Sequence, residues 1–141
     1  MHTPTYEVLE HTADLRMAFY GQDLEALLEC AAYGLFREMA GLDLPPATSE
    51  AFEVELELDA ADLLVRAWLA ELLYLFDTEH ILFTEWDVTI TDEDELRATA
   101  RGVPVPDLFQ SPELDVKAVT YHGLEVTEVP EGLRAEVIFD L

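Results

Sequence analysis

The polar and apolar positions of the chain change period several times, and each change marks an element. Tyr6–Leu9 and Leu15–Tyr20 read as two short extended segments joined through His11-Thr12-Ala13-Asp14. In the second, Leu15, Met17 and Phe19 alternate with Arg16, Ala18 and Tyr20, the period of a half-buried strand, and Gly21 ends it. From Asp23 the spacing becomes helical: Leu24, Leu27, Leu28, Ala31, Leu35 and Met39 form a stripe, with Asp23 as N-cap or first-turn acid. Gly41 closes this helix, and Pro45-Pro46 forbids its continuation.

Phe52, Val54, Leu56 and Leu58 then alternate with Glu53, Glu55 and Glu57, a strand with one wet face. A second helix is predicted from near Asp59 or Asp62 to Asp77–Glu79. Its stripe is Leu64, Trp68, Leu72 and Leu75, widened by Val65, Leu69 and Phe76. Ile81–Thr91 and Glu95–Gly102 read as a hairpin around Asp92-Glu93-Asp94, and His80 as the start of its first strand. Pro104 to Pro112 is too rich in proline for a central strand. Val116–Thr127 and Arg134–Asp140 read as a second hairpin around Pro130-Glu131-Gly132, with Ala135, Val137 and Phe139 on one face. The expected fold is α+β: a two-layer sandwich of two main helices packed on a largely antiparallel sheet, in one domain over residues 1–141.

Composition narrows the partners. Half the 141 residues are hydrophobic, enough for a real core. Asp and Glu number 31 against 7 Lys and Arg, a formal charge of −24. Such a surface repels phosphates, so direct nucleic-acid binding is not expected, whereas a basic partner would be steered toward it. Lys117 is the sole lysine. Cys30 is the sole cysteine, so no internal disulfide partner exists, and its place in the first helix predicts inert packing. Met1-His2-Thr3-Pro4-Thr5 has neither a basic start nor an apolar run, and no stretch is long enough to span a bilayer. A cytoplasmic location is expected.

The common catalytic signatures are missing: no Gly-rich phosphate loop, no Cys-x-x-Cys, no His-Glu-x-x-His, and neither Ser49 nor Ser111 sits in a nucleophile elbow. What remains is a pair of carboxylates. Asp14 falls in the connection between the first two extended segments, and Asp140 ends the last strand beside Leu141. If the chain ends converge, these carboxylates with a Leu141 main-chain oxygen make an all-oxygen site for calcium, magnesium or manganese. The competing reading is that both aspartates accept local backbone hydrogen bonds at turns. His11 could orient Asp14, and His122 could share a pocket with Lys117, although a lone histidine of either kind is more often a structural residue.

Four segments in order give these residues a context: Glu10-His11-Thr12-Ala13-Asp14; Trp68-Leu69-Ala70-Glu71-Leu72-Leu73-Tyr74-Leu75-Phe76 with Asp77-Thr78-Glu79; Val116-Lys117-Ala118-Val119-Thr120-Tyr121-His122; and Val137-Ile138-Phe139-Asp140-Leu141. Together they resemble the archease family along nearly the whole chain. That resemblance implies an α+β domain that activates an RtcB-type RNA-splicing ligase in tRNA splicing, promoting GTP-dependent guanylylation of the ligase histidine and repeated turnover, and that is not itself an enzyme. It implies a divalent-cation site, with calcium foremost, at Asp14, Asp140 and the Leu141 oxygen, and a family lysine at Lys117 facing partner or phosphate. Arg16 stands where many relatives carry a small residue, and residues 102–115 lack the expected Gly-Glu start, so no ligand is assigned there.

Two other readings compete. A chaperone-like partner of an RNA-modifying enzyme such as a tRNA methyltransferase needs the acidic surface but no metal. A stand-alone metal-dependent hydrolase, with His122 as base, needs turnover without any partner.

Overall fold

The elements run, in chain order, β1 (Tyr6–His11), β2 (Asp14–Gly21), α1 (Leu24–Ala40), β3 (Phe52–Glu57), α2 (Ala61–Glu79), β4 (Ile81–Ile90), β5 (Glu95–Pro104), β6 (Ala118–Val119), β7 (Glu125–Val129) and β8 (Gly132–Asp140). The computed structural model describes residues 5–11, 14–41, 43–57, 59–105 and 115–141, without the side chains of Glu10 and His11. Both helices obey their sequence signals. Asp23 caps α1, its carboxylate accepting from the Ala26 N–H at 2.8 Å, and Gly41 closes it in the left-handed region at φ 70°. α2 begins without a side-chain cap and ends at His80, which takes a left-handed conformation at φ 56° while its N–H bonds the Phe76 carbonyl. His80 therefore terminates the helix instead of starting the strand, a place usually given to glycine.

The fold is α+β, with helices packed on antiparallel strands, but the strands divide into two sheets. The larger has the order β1-β2-β8-β6, with β7 also pairing β8; the smaller has the order β3-β5-β4. α1 packs against both β2 and β4, and so joins the sheets. The core lies between, with Leu15, Met17, Phe19, Phe36, Trp68, Val137 and Phe139 almost fully removed from water. Trp68 satisfies its indole N–H on the Leu28 carbonyl at 2.8 Å, tying α2 to α1. Phe36 meets Phe76 and Phe83 edge to face, at 6.0 and 5.7 Å.

The expected strand over 116–127 is two strands. β6 pairs the last residues of β8, the chain turns at Tyr121-His122-Gly123 with Gly123 at φ 61°, and β7 pairs the first half of β8. A glycine that must adopt positive φ explains the break. β5 also runs further than expected, through Gly102 to Pro104. Cys30 is buried, and its thiol donates to the Thr5 carbonyl at 3.1 Å. Burial pushes the thiol above its ordinary range, as suits a packing residue. No helix among the described residues is long and apolar enough to cross a membrane.

Candidate functional site

Leu15, Met17 and Phe19 of β2 lie opposite Phe139, Val137 and Ala135 of β8, apolar against apolar on the core face. That register fixes everything at the end of the pair. One step beyond Leu15 and Phe139, Asp14 lies directly opposite Asp140, and by strand alternation both occupy the solvent face. Both are exposed. Cross-strand partners of this kind have Cβ atoms about 5 Å apart. Asp14 is thus the first residue of β2 and not part of a connection. The far side of Asp140 is bordered by β6: Ala118 is its cross-strand partner there, and the Lys117 N–H donates to the Asp140 carbonyl at 2.9 Å. Asp14, Asp140 and Ala118 form one row across three strands, with the exposed Lys117 immediately before it.

Two carboxylates in direct opposition repel each other. Among the described residues neither has a cationic side chain within 4.0 Å, and the arginine two positions along, Arg16, is turned to Glu136 at 3.4 Å. The pair is thus a concentration of negative charge with free oxygen lone pairs, a donor set that suits a hard divalent cation. It is incomplete by itself: the described residues hold no group of three or more His, Cys, Asp and Glu side chains able to enclose an ion. Leu141 follows directly, half-buried and packed against the core, where its main-chain oxygen would be the third donor.

The two histidines fare differently. His11 is the last residue of β1, paired with Leu15, which puts its backbone one position from Asp14; its side chain lies outside the described residues. His122 is exposed in the turn after β6, and its N–H bonds Thr120 Oγ1 at 3.2 Å. Lys117 precedes β6 and His122 follows it, and both are exposed. Most of residues 102–115 also lies outside the described residues.

Sequence reasoning overlooked Arg66. It stands one turn after Asp62, a natural ion-pair spacing, yet its guanidinium is set 4.0 Å over the ring of Tyr121. No local pattern announces a partner 55 positions away.

The Archease protein family (MTH1598/TM1083) matches residues 6–141. The chain is 37% identical over 141 residues to the protein archease of Methanosarcina barkeri, covering 96% of this chain and 95% of the relative. It is 36% identical over 139 residues to that of Methanothermobacter thermautotrophicus, covering 96% and 98%. In three dimensions it is similar to the solution structure of Methanobacterium thermoautotrophicum protein 1598, with a TM-score of 0.83, 36% identity, and coverage of 96% and 98%. It also shares its fold with the crystal structure of an archease, described as a possible chaperone, from Thermotoga maritima, with a TM-score of 0.66, 24% identity, and coverage of 99% and 100%.

Proposed function

The chain belongs to the archease family, and from that premise we propose that it is a non-catalytic accessory protein whose acidic tip promotes guanylylation and repeated turnover of an RtcB-type RNA-splicing ligase. The observation that carries this reading is the direct opposition of Asp14 and Asp140. Their carboxylates, with the Leu141 main-chain oxygen, would hold a divalent cation, calcium foremost and manganese or magnesium as alternatives. Such an ion, when bound, supplies positive charge to phosphate oxygens.

The protein's own residues do the rest. The β2–β8 register holds the two carboxylates on rigid strands, so they meet a partner already oriented, without an ordering cost at the moment of contact. The exposed tip presents them outward, suited to entering another protein's nucleotide cleft. Lys117, anchored through its N–H to the Asp140 carbonyl, adds the one lysine beside this row, as a counter-charge for a phosphate. The overall charge of −24 steers the molecule to a basic partner surface.

The test is guanylylation of the cognate ligase with wild type, Asp14→Ala and Asp140→Ala. Rates should fall to the level without accessory protein for both variants. Folded variants that stimulate as well as wild type would reject the role, and tolerance of Asp140→Ala with retained binding would favour a general chaperone.

A further inference from the structure

Among the described residues five large apolar side chains are exposed, and three of them, Leu63 at 39%, Tyr74 at 61% and Tyr121 at 65%, belong to α2 or border it through Arg66. At 100° per residue, Leu63, Arg66, Ala67, Ala70 and Tyr74 fall within an arc of about 100° on one side of α2. The opposite side, Leu64, Val65, Trp68, Leu69, Leu72 and Leu73, is buried in the core. The outward stripe is half-buried at Arg66, Ala67 and Ala70 and exposed at Leu63 and Tyr74, and the steps of three, four and four residues from Leu63 through Arg66 and Ala70 to Tyr74 are those of a helix–helix seam. Ala67 and Ala70 form a shallow floor between the bulkier Leu63 and Tyr74, which allows a second backbone to approach closely.

Arg66 fixes the wall of this surface. Its guanidinium stacks on Tyr121 at 4.0 Å, and its buried Nε has no hydrogen-bond partner among the described residues. It forms no ion pair with Asp62. In a chain with 31 acidic residues, an arginine held by an aromatic ring instead of a carboxylate makes a rigid, amphipathic platform. Asp59 and Asp62 flank the stripe at the start of the helix, and Asp77 lies beside it at its end.

We infer that this outward face of α2, with Tyr121, is a docking surface for an amphipathic helix of a partner protein that carries basic residues around an apolar stripe. The acidic flanks select for that charge, and a second copy of a chain at −24 is repelled. This deepens the accessory reading, and rests on it only for the partner's identity: the tip acts in the ligase cleft while α2 supplies affinity.

Two experiments test it. In the first, isotope-labelled protein is titrated with a synthetic heptad peptide of leucine seams and lysine flanks, and with its glutamate-flanked counterpart. The lysine peptide should shift amide signals at Leu63, Arg66, Ala70, Tyr74 and Tyr121, and the glutamate peptide should not bind. Leu63→Asp, Tyr74→Asp and the milder Tyr121→Ala should each weaken binding about tenfold or more. Shifts spread over the acidic sheet faces or confined to the tip, or wild-type affinity in all three variants, would overturn the proposal. In the second, the same variants should raise the concentration giving half-maximal ligase activation about tenfold and leave the maximal rate unchanged, the reverse of Asp140→Ala. Unchanged half-maximal concentrations would limit the surface to something other than this ligase and overturn the deepened form. Peptide docking without any activation by wild type would instead remove the ligase reading and leave the surface standing.

Discussion

The Glu29 carboxylate on α1 accepts a hydrogen bond at 2.9 Å from the backbone N–H of Val88, on the outer strand β4 of the smaller sheet. One turn earlier, Glu25 accepts from Ile90 at 2.7 Å. Two residues of a strand advance about 7 Å and four residues of a helix about 6 Å, so a pair of glutamates one turn apart matches alternate N–H groups of an edge. An open edge is a template for unwanted pairing. Here a helix closes it with side chains, and the same helix packs its other residues on the larger sheet.

Burial holds the Glu29 carboxyl above its ordinary value of 4.5, opposed by the Val88 N–H and reinforced by Asp87, Glu25 and Asp23. A raised carboxyl means that the folded state keeps this proton more tightly than the unfolded chain. Its contribution is complete below the unfolded value and is lost as pH rises through the folded one. Glu29→Gln keeps an acceptor for Val88 and removes that loss, so the variant should gain stability over wild type as pH rises across this window, then hold a constant advantage. Glu29→Ala abandons the N–H and should cost about 1–2 kcal/mol at neutral pH. Urea unfolding at several pH values checks both, and a glutamine variant weaker than wild type at neutral pH would contradict the account.

Tyr6 donates its hydroxyl to Glu38 at 2.6 Å and receives Arg37 at 3.3 Å. Desolvation first, then the bond to Glu38, pushes the phenol up to about 12. Tyrosinate absorbance should therefore show a late step near pH 12 that is absent from Tyr6→Phe. The phenol's contribution to stability should be complete below the ordinary value of 10.0 and disappear as pH rises toward 12. The phenylalanine variant should be weaker by about 1 kcal/mol at neutral pH. Loss of the late step in some other tyrosine variant would reassign it.

Much of this was legible in the sequence where a period or a cap repeats locally. Asp23 and Gly41 bound α1 because capping is chemistry between neighbours, and the alternation in β2, β3 and β8 marks their core faces. The Asp14–Asp140 pair was implied by the family resemblance and by chain ends that tend to meet, whereas the register that sets the two in direct opposition is a property of the fold. What stayed hidden was settled by distant residues. Nothing local separates one sheet from two, which depends on α1 lying between β2 and β4. His80 takes a backbone conformation that its identity does not advertise, and the Arg66–Tyr121 stack joins residues far apart in the chain.

Gly102 shows the same limit and allows a direct check. It reads as the end of a strand, yet β5 continues past it, opposite the irregular step between Phe83 and Glu85 in β4. A Cβ placed there would stand 1.9 Å from the Leu82 carbonyl oxygen, a backbone atom that cannot swing away. Its N–H takes Ser49 Oγ at 3.0 Å, and its carbonyl accepts from Thr48 and Ser49. Gly102→Ala should cost about 2 kcal/mol or more. Equilibrium unfolding in urea measures it, and a loss under about 0.5 kcal/mol would mean that the β4 step relaxes freely.

The charge of the tip can be weighed against its cation. Opposed aspartates without a counter-ion repel, so in the presence of a chelator Asp140→Asn should be more stable than wild type by up to about 1 kcal/mol, a rise of about 1–3 °C in the thermal midpoint. Calcium should reverse the order. At a concentration about a hundred times its dissociation constant, an ion bound only by the folded state adds about 2.7 kcal/mol, several degrees of midpoint, to wild type. The asparagine variant, left with one carboxylate in the row, should gain little, and Asp14→Asn should behave as its mirror across the strand pair. Calorimetry with and without the ion distinguishes this from a general effect of divalent cations on so acidic a chain, because screening would raise wild type and both variants alike. Equal rises in all three would mean that the two carboxylates repel without ever sharing an ion.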